Sequence, residues 1–171
     1  MRQWRGLIAY RAKLVQRRTK IKNHIRDLLL REGQLLPRGR SAWTEAGMAA
    51  LAEMTKPLAE VSGDELWRGE LGVELVQLKE LQQQILMVHA KLDELAAADP
   101  RIALWRTIPG VGPRLSEAIV TMFDDVTRFR TAGQVGSYIG MVPKSFDSGE
   151  TERSGRITRT GIGWCAPYWW R

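Results

Sequence analysis

The sequence predicts a mainly α fold: a long helical coiled-coil arm, then a compact helical domain with a helix-hairpin-helix-like glycine turn. Three observations carry this. Leu7, Leu14, Ile21 and Leu28 recur every seven residues, with Ile25 in the same stripe. Leu78, Leu81, Ile85, Val88, Leu92 and Leu95 alternate spacings of three and four. After Pro100, glycine becomes frequent and helical segments shorten. The first two are amphipathic-helix and coiled-coil periodicities. The third places a boundary near residue 99.

The elements follow in order. Residues 5–32 contain no Pro and only Gly6, so they read as one helix with Gly33 as its stop. The stretch 34–40 holds Pro37 and Gly39 and reads as a loop. A shorter helix spans 44–54, ahead of Pro57. Gly63-Asp64 starts the coiled-coil helix, which runs to about Ala98. Its seam is open to two partners, the first helix folded back or another subunit. Three short helices follow over 101–107, 113–123 and 132–139. The polar stretch 141–161 reads as a loop.

Charge is unevenly placed along the 171 residues. Residues 1–40 hold twelve Lys/Arg against two acids, 41–100 hold four against eleven, and 101–171 hold ten against six. These blocks suggest domains at 1–40, 41–99 and 100–161, with 162–171 as a tail. A basic field attracts nucleic acid through phosphate neutralisation. Equally, the acidic block pairs with the first basic block if the two helices lie antiparallel. A single cysteine, Cys165, excludes a disulfide framework. No apolar run has the length of a membrane span, so a cytoplasmic protein without membrane contact is expected.

Two stretches carry candidate chemistry. In Ile108-Pro109-Gly110-Val111-Gly112-Pro113, Gly110 and Gly112 permit a tight turn with exposed amides. Pro113 suits a helix first turn. Free amides there form an anion site, and Arg114 follows at once. An ordinary turn between packed helices has the same composition. The second stretch is Asp147–Gly161, where Arg153, Arg156 and Arg159 recur every three residues beside Ser148-Gly149. Such arginines suit phosphate contacts, with Arg17, Arg18, Lys20 and Lys22 of the first helix as further DNA-contact candidates. A serine nucleophile needs a base, a metal or stabilised charge, and no His lies near Ser148, so composition alone favours a solvated loop. His24 and His89 lack a metal-type partner at i+3 or i+4, and Asp124-Asp125 reads as an acidic helix end or turn rather than a metal pair.

The ordered set resembles the IS116/IS110/IS902 group of transposases. It comprises Leu104–Pro113, Phe129–Val135, Ser137–Pro143, Ser148-Gly149 and Arg156–Gly161, in that order. The resemblance implies a C-terminal transposase domain in which Ser148 is the catalytic nucleophile of DNA strand cleavage and exchange. It implies an acidic Mg2+-binding domain preceding this segment, DNA as partner and, for some members, a structured guide RNA. A homo-oligomer through the coiled coil is also expected. Residues 1–40 offer only Asp27 and Glu32 as acids. The expectation is therefore a truncated chain without a metal site of its own, inactive alone. The alternative is a non-catalytic DNA- or RNA-binding module or a regulator of an intact transposase; a coiled-coil scaffold is a third reading. Residues 162–171 depart from the expected basic, Leu-rich helix. Back-translation of Gly163–Trp170, read one base out of frame, gives a mostly aliphatic stretch ending Leu-Val. A disordered, frameshifted tail is the expectation.

Overall fold

The computed structural model describes residues 1–37, 39–140, 142–148 and 151–157, with all their side chains except 144–148, 151–154 and 157. The fold is mainly α. In chain order the elements are α1 (Arg2–Arg31), α2 (Glu45–Glu53), α3 (Leu66–Ala97), α4 (Pro100–Arg106), α5 (Pro113–Phe123), α6 (Ala132–Ile139), β1 (Pro143–Ser148) and β2 (Thr151–Ile157). They fall into two compact units, Tyr10–Lys91 and Met1–Ala9 with Leu92–Arg171. Composition instead divided the chain at 40 and 99. The contact-based division falls inside the two long helices, between Ala9 and Tyr10 of α1 and between Lys91 and Leu92 of α3.

In the unit Tyr10–Lys91, the seam of α3 is filled by α1 of the same chain. Ile25, Leu28 and Leu29 of α1 form one core with Leu71, Leu75 and Leu78 of α3. Leu14 continues it against Leu81 and Ile85. The outward face of α3 leaves Val73, Val76 and Met87 exposed. Leu51 of α2 closes one end of the core. The Thr44 hydroxyl caps α2, accepting from Gly47 N at 3.3 Å. Position 47 must be glycine: a Cβ there would lie 2.5 Å from the Ser41 carbonyl oxygen.

The other unit is built around α5. Every residue from Ser116 to Phe123 is buried, so this helix is covered on all sides. Its polar residues are satisfied locally. Ser116 Oγ donates to Pro113 O at 2.7 Å, and Thr121 Oγ1 to Glu117 O at 2.8 Å. Phe123, Phe129 and Tyr138 form an aromatic cluster with centroids 5.3–6.5 Å apart. Asp99 caps α4 by accepting from Arg101 N at 3.0 Å. It also takes Arg101 Nε at 3.0 Å and Nη2 at 2.7 Å. Arg101 Nη1 donates to Asp124 O at 2.7 Å. Asp124 holds a positive φ of 48° at the end of α5.

The Arg101 guanidinium, then its backbone amide, hold the Asp99 carboxyl below its ordinary value. A depressed folded-state pKa stabilises above the ordinary aspartate range and is lost as pH falls through the folded value. Carboxyl titration by NMR is expected to put the Asp99 midpoint below about 3.9. Arg101→Gln should move it back up.

The stretch 141–161, a loop by composition, contains an antiparallel β-hairpin. Ser148 pairs with Thr151, Phe146 with Arg153 and Pro143 with Ile157, with an irregularity between Pro143 and Ser145. The polar composition conceals it, because apolar and polar residues do not alternate. The sequence signal was the two-residue connection Gly149-Glu150. The expected tail 162–171 lies outside the described residues.

Candidate nucleic-acid interface

The cations of α1 form two rows, one on each side of its buried seam. Lys13, Arg17, Lys20 and Arg31 share one row at spacings set by the helical repeat. All four side chains are exposed. Arg17 and Lys20 border a groove of about 370 Å3 with Gln77, Glu80 and Gln84 of α3. Glu80 sets a carboxylate at one wall of that groove.

The other row is more committed. Arg11 Nε donates to His89 Nε2 at 2.9 Å. Lys22 Nζ and the Arg26 guanidinium lie 4.7 Å and 5.2 Å from the Trp43 ring centroid. Arg26 also donates to Gly39 O at 2.9 Å. Partial burial, then Arg18 and Arg26, lower the pKa of Lys22. A phosphate would relieve this crowding of positive charge. Of the sequence candidates, Arg17 and Lys20 thus fall in the open row, and Arg18 and Lys22 in the committed one. Lys13 was not among the sequence candidates, although the spacing Lys13, Arg17, Lys20 that puts it in the same exposed row was legible.

The glycine turn links α4 to α5. Val111 N donates to Ile108 O at 3.0 Å, and Gly110 adopts φ +85°. That conformation strains any residue with a Cβ. Ile108 to Gly110 and Gly112 are exposed, and nothing lies within 4 Å of the Cβ positions of Gly110 and Gly112. The bend is open to a large anion. Arg114 points elsewhere. Its Nη1 donates to both Glu117 carboxylate oxygens at 2.8 Å and 3.0 Å, and its Nη2 pairs with Asp93. Glu117 is fully buried, so Arg114 serves as counter-ion to a carboxylate inside the unit.

Ser148 ends β1 beside the connection to β2. Its side chain and that of Arg153 lie outside the described side chains. Arg156 is exposed on β2, and Arg159 lies outside the described residues. Among the described residues, no three His, Cys, Asp or Glu side chains converge as a metal site. Nor is any described helix long and apolar enough to cross a membrane.

A cleft of about 310 Å3 opens beside the aromatic cluster. Trp105, Phe123, Phe129, Val126 and Val135 supply apolar wall, with Arg130 and the start of α6 at its margin. Sequence reasoning missed it, because Trp105 stands far in the chain from the rest of the wall at 123–135.

Comparison with known proteins gives the class first: the relatives this chain resembles are transposases and insertion-element proteins. Residues 103–164 match the model of the Transposase IS116/IS110/IS902 family, so that segment is similar to this family's proteins. It is 31% identical over 88% of its length to a "Probable family 20 transposase" of Pseudomonas aeruginosa, covering 44% of that protein. It is 26% identical over 91% of its length to the "Transposase for insertion sequence element IS1111A" of Coxiella burnetii, covering 42% of it. The chain thus spans less than half the length of these relatives. No solved structure matches.

Proposed function

We propose that this chain is the DNA-binding, serine-bearing C-terminal portion of an insertion-sequence transposase, acting in the cytoplasm. The observation that carries the reading is the open cation row Lys13, Arg17, Lys20 on α1, joined to the family match over 103–164. In this reading, the row and the Gly110–Gly112 bend hold phosphates. The bend acts as a helix-hairpin-helix turn, its free amides facing the backbone. Arg153, Arg156 and Arg159 add contacts on and beyond the hairpin. Ser148 attacks the scissile phosphorus, forming a serine–phosphate ester and displacing a 3′- or 5′-hydroxyl of the cut strand. The reverse attack by a strand hydroxyl rejoins DNA and frees the serine. In this reading cleavage also needs acidic metal-holding residues beyond those of this segment, and the 171 residues by themselves bind DNA without cutting it. A structured RNA is a second proposed ligand.

A homo-oligomer is also proposed. Because α1 fills the inner seam of α3, a second copy would use the outward row Val73, Val76 and Met87. Non-catalytic regulation of an intact transposase through mixed oligomers is the alternative.

Two experiments test the proposal. Duplex affinity should fall linearly with salt on a log–log plot. Replacing Lys13, Arg17 and Lys20 by Gln should flatten the slope by about 0.9 per lost phosphate contact. An unchanged slope removes this row from the interface. In a mixed complex with an intact relative and Mg2+, Ser148→Ala should abolish the covalent protein–DNA adduct formed by this chain. An adduct of undiminished yield would remove Ser148 from the mechanism.

A further inference from the structure

We infer that the cleft beside α6 receives one unpaired nucleotide of bound DNA; this rests on the DNA-binding reading above. The cleft, at about 310 Å3, falls at the small end of ligand pockets, which run about 300–1,000 Å3. Its walls combine aromatic and aliphatic surface, with Trp105 and Phe129 only partly buried. A base extruded from a duplex has two flat apolar faces, and aromatic walls receive them without regard to sequence.

The polar margin completes the match. A base brings its phosphate, and the cleft has cationic and amide donors at one margin only. Arg130 is exposed there, and no ion pair engages its guanidinium among the described residues. Thr131 caps α6, accepting from Gln134 N at 3.4 Å. The amides of Ala132 and Gly133 have no acceptor among the described residues. Gln134 Oε1 accepts from Arg130 N at 2.8 Å, fixing the chain entering α6. Arg128 is stacked 4.6 Å and 4.4 Å from the Phe129 and Tyr138 centroids, keeping a second cation near the cluster. An apolar peptide side chain would satisfy the walls but not this margin. Trp105 also stands on the last turn of α4, three residues before the glycine turn begins. One DNA backbone could therefore serve both features.

The test compares three DNA duplexes of one length: fully paired, with one bulged 2-aminopurine, and with one bulged abasic residue. The full chain should bind the 2-aminopurine bulge roughly tenfold tighter than either other duplex, with a change in its fluorescence. Ala132→Trp, at an exposed position on the cleft margin, should abolish the preference and leave paired-duplex affinity unchanged. Arg130→Gln should reduce the preference severalfold. Equal affinity for all three duplexes overturns the inference and leaves the DNA-binding reading standing. A preference that survives Ala132→Trp also overturns it. A preference confined to bulged RNA overturns the assignment to DNA. Absence of binding to every duplex at low salt fails the underlying reading as well.

Discussion

Arg114→Ala is expected to destabilise the unit built around α5 by about 3–5 kcal/mol. The cause is the carboxylate left behind. Glu117 is fully buried and accepts two hydrogen bonds from Arg114 Nη1. Removing the guanidinium strands a charge inside the unit, and such a charge costs far more than an exposed pair contributes. Asp93 adds little, because its side chain is 61% exposed. Replacing both partners by apolar residues, Arg114→Met with Glu117→Leu, should recover most of the loss. Thermal melts of the two singles and the double measure the coupling. If Arg114→Ala melts with the parent chain, the pair is not structural. The same melts guard the DNA-binding reading: affinity lost with the fold says nothing about a phosphate contact.

Leu78→Ala is expected to destabilise the helical hairpin by about 2–5 kcal/mol. Leu78 has no exposed surface and sits in the core shared by α1, α2 and α3. Truncation removes its transfer free energy and leaves a cavity that two long helices cannot easily close. Leu86 is the control. It lies on the same helix but is 65% exposed, so Leu86→Ala should change stability by under about 0.5 kcal/mol. Circular dichroism melts separate the two variants. Similar shifts for both would mean that α3 does not use this seam. Because the hairpin holds the α1 cation rows in register, Leu78→Ala should also cost DNA affinity once the hairpin unfolds, but not below that temperature.

Much of the fold was legible because its signals are local. Pro113 at the first turn and the glycine turn before it place α5 at Pro113–Phe123. Thr131 as cap and Gly140 in the left-handed conformation bound α6 at Ala132–Ile139. The β-hairpin was not legible from periodicity, since polar residues dominate both strands. The site was read less completely. Arg114 stood out as a cation after a glycine turn, yet Glu117 three residues on was the warning that it had a partner. Lys13 was passed over because the count of cations does not say which are open.

The sequence by itself determined where helices begin and end, that two of them are long and amphipathic, and which family the segment 103–164 resembles. Those properties depend on neighbours a few residues apart. Only the tertiary structure decided that α1, and not a second chain, fills the α3 seam. It also decided that Arg114 faces a buried carboxylate and that Trp105 closes a cleft with residues 123–135. The reason is that burial and ion pairing are set by residues far apart in the chain, and no local pattern records which of them meet.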